Sequence, residues 1–370
     1  MDTHLAASDT GVESRWPRYQ GARAGVPGYW YPTVEARRLK GRPLPVTLLG
    51  EKIVLVRDGG SVWALNDRCP HRGVPLSAGR REFPGTLTCI YHGWTYRLRD
   101  GELAAALTDG PDSPICGKAV VRVKTYATEE RAGVIWVFVG EGPAPPLESE
   151  LPAELLEEDA VAIPMIEERE GDWRLAMENA VDEAHARYLH RRTPFAFFRR
   201  FPAFQTDIKM TASADGQWLE RSSKAVFGPQ TFAEVGVWPK DGPWRRAGGQ
   251  MVVGRARLPA TWVAHHKGWT DCQIFTPTTE GRHLMVQIAV KRVRGPGALL
   301  WKLRVWTYIR LLHRIILNRW EDGFIVTAMN APPERLFRPD IAIIAWRNWC
   351  ERLAVQQPAR PLPPMPSRQD

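Results

Sequence analysis

Short apolar runs with an even spacing dominate the first third of the chain. Val46–Leu49, Ile53–Arg57 and Val62–Asn66 read as strands, and Asp58-Gly59-Gly60 places a turn between the last two. Gly133–Val139 (GVIWVFV) reads as a further, buried strand. Many short strands with such punctuation predict a small β-sandwich or barrel. Gly142-Pro143-Ala144-Pro145-Pro146 stops regular structure and predicts a linker, with acidic text following to Asp159. From Ile163 onward the pattern changes. A helix is predicted around Arg174–Leu189, and strands at Ile208–Ser213, Met251–Leu258, Cys272–Thr276 and His283–Val290. Helical stretches at Ala298–Leu317 and Ile341–Leu353 complete an α+β unit. The expected organisation is a flexible arm over 1–27, an all-β unit over 28–145, an α+β unit over 160–355, and a Pro-rich tail over 356–370 that is extended on the surface. There is no internal repeat.

Composition supports this picture. The 370 residues are 44% hydrophobic and 25% charged, which are globular values. No apolar segment opens the chain, and no run of eighteen apolar residues occurs, so neither a signal peptide nor a membrane span is expected. Five cysteines without a paired spacing point away from a disulfide framework and toward a reducing cytoplasm. The net charge of +9 is localised: Gly281 to Trp320 contains nine Lys and Arg and no Asp or Glu. Such a face either attracts an acidic partner or is simply solvated. No nucleic-acid-binding module accompanies it. Around Leu299–Leu317 the charges fall on all sides of a helical wheel, so one-sided burial with snorkelling cations is expected.

The chemistry lies in two constellations. Cys69-Pro70-His71 and Cys89-Ile90-Tyr91-His92 form a C-x-H and a C-x-x-H arm. Zinc sites usually pair like ligands, whereas here each arm mixes one thiolate with one imidazole. That mixture suits a [2Fe–2S] cluster in which two histidines replace two cysteines on one iron. Gly73 and Gly93-Trp94 follow the two histidines, where small residues let backbone N–H groups approach the sulfurs. The second constellation runs from Glu178 to His190 and holds Asn179, Asp182, His185 and His190. Two histidines and a carboxylate suit iron(II) in a facial triad with open positions. His185 and His190 are five residues apart, about 140° on an ideal helix, so a regular helix cannot aim both at one ion. The helix is expected to end, tighten or take a π-type bulge between them. The third ligand must come from far along the chain. Asp322 is the choice and Glu321 the fallback, although the pair also reads as an acid cluster at a helix N-terminus.

The arms read CPHRG and CxYHGW, as in the Rieske domains of ring-hydroxylating oxygenases. With N-x-x-D-x-x-H-x₄-H and a late Asp, the chain from about Tyr29 to Leu353 resembles the catalytic α-subunit of Rieske non-haem iron oxygenases. Gly28–Pro32, Leu48–Glu51, Asp172–Ala176 and Ala345–Arg347 resemble the carbazole-type homotrimeric components. The carbazole pattern has a shorter gap between its iron histidines; the five-residue step here is the commoner family form. The resemblance implies a Rieske β domain followed by a helix-grip (START-like) domain with an antiparallel sheet. It implies that Cys69, His71, Cys89 and His92 hold the [2Fe–2S] cluster, and that His185, His190 and Asp322 hold a mononuclear Fe²⁺. Asp182 then matches the carboxylate that bridges electrons between subunits, and Asn179 a position near the iron.

The implied activity is that of a terminal oxygenase component that uses O₂ to hydroxylate or dihydroxylate a hydrophobic aromatic or polycyclic molecule. Oxidative N- or O-demethylation and natural-product tailoring are alternatives within the family. A Rieske-type electron carrier without oxygenase activity is the alternative outside it. No G-x-G-x-x-G stands between a strand and a helix, so a separate NAD(P)H-dependent reductase is expected, through a ferredoxin. Phe195, Phe197, Phe198 and Phe201 read either as the lining of an apolar pocket or as plain core.

Overall fold

A computed structural model describes residues 15–110, 112–190, 205–227, 254–266, 268–329 and 334–353. The first unit is built from three antiparallel sheets. One joins β1 (Tyr29–Glu35), β10 (Val134–Val139) and β9 (Thr128–Arg131). The second joins β2 (Leu44–Leu48), β3 (Glu51–Asp58), β4 (Ser61–Asn66) and β8 (Thr125–Tyr126). The third, β5 (Thr86–Thr88), β6 (Trp94–Arg97) and β7 (Leu103–Ala106), carries the two Cys/His arms at one end.

The second unit is one seven-stranded antiparallel sheet. Its order is β11 (Ala160–Glu170), β17 (Arg282–Arg292), β16 (Trp269–Thr279), β15 (Thr261–His266), β14 (Gly254–Arg257), β13 (Leu219–Phe227), β12 (Gln205–Ala212). Helices α2 (Trp173–Val181), α3 (Glu183–Leu189) and α7 (Ile341–Leu353) belong to this unit. So does a continuous helical rod of α4 (Pro296–Arg304), α5 (Val305–Glu321) and α6 (Asp322–Ala328). Helix α5 has the wide i→i+5 winding of a π-helix. Trp301, Val305 and Ile309 of the rod pack on Met165, Trp269 and Ala289, while Leu299, Leu300, Leu303 and Trp306 stay exposed. The rod is therefore buried on one side, and no helix among the described residues is long and apolar enough to cross a membrane.

The period of two in β10 welds the units together. Ile135, Val137 and Val139 face the core of the first unit. Val134, Trp136 and Phe138 face the second, meeting Val263, Cys272, Ile274, Val286 and Ile288 on the outer face of the large sheet. The predicted linker is part of this weld. Pro145 O accepts from Trp30 Nε1 at 2.8 Å, and Leu147, Leu151 and Leu155 are buried in the same core.

Three sequence expectations change. Residues 15–27, placed in a loose arm, contain a short helix, α1 (Pro17–Gly21), docked on α7 and α2. Trp16 Nε1 donates to Asn348 Oδ1 at 2.8 Å, and Tyr19 Oη donates to Glu178 Oε1 at 2.8 Å. Aromatic burial outweighs the polar surroundings that suggested an arm. The predicted helix over 174–189 is two helices broken at Asp182. The basic stretch is paired in part: of its nine cations, Arg282, Arg292, Arg294, Arg314 and Arg319 pair with Glu167, Glu168, Glu170, Glu157 and Asp159. Antiparallel pairing of β11 with β17 brings this acidic text beside it. Residues 1–14, the Pro-rich tail, the four phenylalanines and 251–253 lie outside the described residues.

His283 of β17 is buried, its Nδ1 2.9 Å from Gly171 O, and burial pushes its pKa down to about 4. The unfolded ring binds a proton that the folded one refuses. Stability is therefore complete above pH ~6.5 and falls as the pH drops toward 4, by roughly 3 kcal/mol in all. In thermal unfolding followed between pH 7 and pH 4, His283→Gln is expected to show a shallower fall than the native protein.

Candidate active site

The two Cys/His arms are closed by matching turns. Cys69 N donates to Val74 O at 2.9 Å and Gly73 N to Cys69 O at 2.8 Å. In the other arm, Cys89 N donates to Trp94 O at 2.8 Å and Gly93 N to Cys89 O at 3.1 Å. Gly93 has φ +67°, and a Cβ there would sit 2.8 Å from Leu107 Cβ. Asp67 clips the first arm from behind, accepting from Ser77 N at 2.6 Å and Ser77 Oγ at 2.7 Å.

The cysteines are buried in a core of Val54, Leu65, Leu76, Leu87 and Leu103. His71 is exposed, and its ring centroid lies 4.6 Å from that of His92. Trp94 stacks on His71 with an interplanar angle of 8°. Burial, partly offset by backbone N–H bonds from Tyr91 and His92, pushes the Cys89 thiol up. Burial likewise pushes the Tyr96 phenol far up, so its hydroxyl keeps the proton and stands 3.2 Å from Cys69 Sγ, ready to donate to a thiolate. His92 Nδ1 is buried without a hydrogen-bond partner. Two buried sulfurs served by O–H and N–H donors, beside an orphaned imidazole nitrogen, fit an iron–sulfur cluster.

The second site depends on the break between α2 and α3. Asp172 caps α2, accepting from Arg174 N at 2.9 Å. Trp173, Ala176, Met177 and Val181 form its buried stripe. Arg221 of β13 reaches Val181 O at 2.6 Å and lies 3.8 Å from the Glu183 carboxylate, taking the carbonyl that the next helical turn would have used. Asp182 then starts α3 as its cap, accepting from Ala184 N at 2.8 Å and His185 N at 3.3 Å. Helix α3 ends at Leu189 and the chain tightens into a 3₁₀ turn at His190, as the spacing argument requires.

Asp322 arrives on the rod, whose α6 segment packs closely on the start of α2. Gly171, at φ +109°, leaves the space there: a Cβ would meet Val326 Cγ1 at 2.7 Å. His185, His190 and Asp322 thus converge, with one ligand atom from each within 4.8 Å of the others. Asp322 Oδ1 lies 3.4 Å from His185 Nε2 and 3.3 Å from His190 Nε2, yet is aligned for a hydrogen bond with neither. Each histidine has a carboxylate at its other nitrogen. Asp182 Oδ2 is 3.4 Å from His185 Nδ1, and Glu321 Oε2 is 2.5 Å from His190 Nδ1.

Charge organises the group. Burial opposes a charged His185, but Asp182 and Asp322 outweigh it and raise the ring to about pKa 9. Burial would also raise Asp322, but the two histidines hold it well below the usual carboxylate range. A site that binds a proton this tightly is built for positive charge, and a dication fits the donor set. Glu321, the fallback ligand, sits behind His190 instead. Because the rod runs unbroken through 321–322, the helix N-terminus that would explain an acid cluster is absent there. Asn179 is half-buried on α2 and is not part of the convergent group. Sequence reasoning missed Arg221 and Glu183, which hold the break; the only local signal was an Asp at the N-cap position of α3.

Residues 29–126 match the Rieske [2Fe-2S] domain, and residues 138–205 match the family described as homotrimeric ring hydroxylase. The carbazole 1,9a-dioxygenase terminal oxygenase component of Sphingomonas sp is 31% identical, over 90% of this chain and 93% of that one. The chain belongs to the Rieske ring-hydroxylating oxygenases. The solved terminal oxygenase of carbazole 1,9a-dioxygenase from Novosphingobium sp. KA1 superposes with a TM-score of 0.78 at 26% identity, covering 91% of this chain and 95% of that one. A carbazole-bound variant oxygenase in complex with ferredoxin shares the fold, with a TM-score of 0.78 at 24% identity over 91% and 92%. The first unit is thus the Rieske domain, and the second is the catalytic domain of an oxygenase that uses a [2Fe–2S] cluster and a mononuclear iron.

Gly93→Ala tests the cluster loop. The positive φ alone costs a non-glycine residue about 1–2 kcal/mol, and the contact with Leu107 adds to it. The purified variant is expected to lose most of its [2Fe–2S] visible absorption while keeping its far-ultraviolet circular dichroism.

Proposed function

We propose that Cys69, His71, Cys89 and His92 hold the [2Fe–2S] cluster, that His185, His190 and Asp322 hold the iron, and that this chain oxygenates an aromatic or polycyclic ring compound. The observation that carries the reading is the convergence of two histidines and one carboxylate in a chain that also has a Rieske domain. An electron carrier alone has no use for a second donor set of this kind. When bound, the cluster supplies single electrons and the iron activates dioxygen.

The protein residues do the rest. Glu321 Oε2 holds His190 Nδ1 at 2.5 Å, which fixes that ring with its Nε2 toward Asp322, and Asp182 Oδ2 stands 3.4 Å from His185 Nδ1 on the far side of the second ring. Asp322 balances charge through its buried Oδ1, which faces both rings. Asp182 stays partly open to solvent, so its carboxylate is available to a histidine from outside the chain.

Within one chain, the Rieske domain packs on the outer sheet face, whereas the His/Asp group lies with the helices. The exposed His71 and half-buried His92 are therefore suited to meet Asp182 of a neighbouring copy. This supports a homotrimer in which electrons cross between subunits. A ferredoxin, reduced by a separate NAD(P)H-dependent reductase, supplies them. The three cysteines outside the cluster, Cys116, Cys272 and Cys350, are unpaired, which fits a cytoplasmic location.

Iron content decides the reading. Purified protein is expected to hold about three Fe per chain, and two Fe with two labile sulfides would sink the oxygenase assignment. With reductant, ferredoxin and a panel of aromatic, polycyclic and N-methyl compounds, ¹⁸O₂ should label a product. Asp182→Ala should abolish that labelling, a loss of at least roughly a hundredfold, while the cluster's spectrum survives. Normal turnover in the variant would refute the bridge.

A further inference from the structure

The helical rod carries two apolar stripes, and the sheet covers only one of them. Trp301, Val305 and Ile309 face the sheet. Leu299, Leu300, Leu303, Trp306 and Leu311 are each more than half exposed. At about 100° per residue, Leu299, Leu303 and Trp306 share one sector of the rod, on the side away from Trp301 and Val305. Large apolar side chains set side by side in water are costly, and a contiguous patch of them marks an interaction surface.

The charge around this outer stripe is of one sign. Of the nine cations between 281 and 320, five are paired with acids. The other four, Lys291, Lys302, Arg304 and Arg310, have no acidic partner among the described residues. Lys302 flanks the stripe on one side and Arg304 on the other. Three of the four rest on rings instead. Arg310 Cζ lies 4.5 Å from the ring centroid of Trp306, Arg304 Cζ 5.9 Å from that of Tyr308, and Lys291 Nζ 5.8 Å from that of Trp301. Cations with apolar stems beside exposed Leu and Trp suit the level where an apolar layer meets a charged one.

We infer that the outer face of α4 and the first turns of α5 docks on the surface of an anionic lipid bilayer. The rod lies in the headgroup plane, with the leucines in the acyl boundary, Trp306 at the interface and the free cations among the lipid phosphates. Such contact needs no spanning helix, and it is compatible with a cytoplasmic location. A second copy fits the face badly, because a symmetric contact sets the same unpaired cations against each other. The subunit contact proposed through Asp182 lies elsewhere: Leu303 is nineteen residues before Asp322, on the order of 25 Å along the rod. Docking also serves the chemistry, since apolar ring compounds collect in bilayers.

Flotation of the iron- and cluster-loaded protein with vesicles tests this, at physiological ionic strength. The native protein is expected to float with vesicles of phosphatidylcholine mixed with phosphatidylglycerol, and to bind phosphatidylcholine alone at least about tenfold more weakly. Leu300→Ser with Leu303→Ser should weaken binding to the mixed vesicles at least about tenfold. Lys302→Ser with Arg304→Ser should cut the preference for the anionic lipid by about tenfold, each cation being worth about fivefold. All four side chains are exposed, so far-ultraviolet circular dichroism and the cluster's absorption should not change. A native protein that stays at the bottom of the gradient overturns the assignment, as do variants that float like the native. Variants that lose the trimer make the face a subunit contact, and variants that slow reduction of the cluster by ferredoxin make it a protein docking site; either result also overturns it. Flotation requires no turnover, so its failure leaves the oxygenase reading intact, and a missing third iron leaves this inference intact.

Discussion

The catalytic domain is organised around the negative charge of Asp322, whose inward-facing Oδ1 is buried. A carboxylate cannot stay ionised away from water unless something positive or strongly polar answers it. Here two imidazoles do so, and each is backed by a further carboxylate at its far nitrogen. Three acids around two rings leave the group short of positive charge, which is why His185 clings to a proton up to about pH 9. A metal dication answers the same deficit better than a proton, because it pairs with all three inward-facing atoms at once. The alternation of carboxylate, histidine and carboxylate is therefore one electrostatic unit.

Holding that unit in place takes elements far apart in sequence. The break at Asp182 sets the direction of α3, and it exists because Arg221, on a strand about forty residues later, captures the Val181 carbonyl. The rod brings Asp322 in from the other side, and Gly171 lets α6 sit down on the start of α2. Behind both stands the buried pair of Glu178 and Arg347, with contacts of 2.7 and 2.8 Å, which ties α2 to α7. Breaking such a pair from one side typically costs about 3–5 kcal/mol, since the remaining charge stays buried. The large sheet serves two purposes at once. Its outer face is plain apolar core against the Rieske domain, while its inner face carries the polar chain from Asp271 to Asn318.

How legible all this was in the sequence depends on range. The Cys/His arms could be read directly because each is a turn of five or six residues closed by its own backbone bonds. The five-residue step from His185 to His190 forbade a regular helix on geometry alone, and the helix does end at Leu189. The break at Asp182 was not foreseen, because a distant arginine makes it. Asp322 was the choice over its neighbour Glu321, and the winding of the rod assigns Asp322 to the group and Glu321 to the back of His190. The basic stretch from 281 to 320 carried no sign of its partners within the chain, which strand pairing supplies for five of its nine cations by setting the acidic edge strand beside it.

By itself, the sequence determined the kind of chemistry, the division into two domains and the ligand types, since these rest on residue identity and short spacings. Apolar periodicity likewise settled that β10 is buried, but not that its alternate side chains would join two different cores. Only the tertiary structure decided which acid meets the histidines, where the helix breaks and which cations are already paired. Those outcomes turn on contacts between residues tens to more than a hundred positions apart. Such contacts form only after burial has removed the competing water, so no local pattern encodes them.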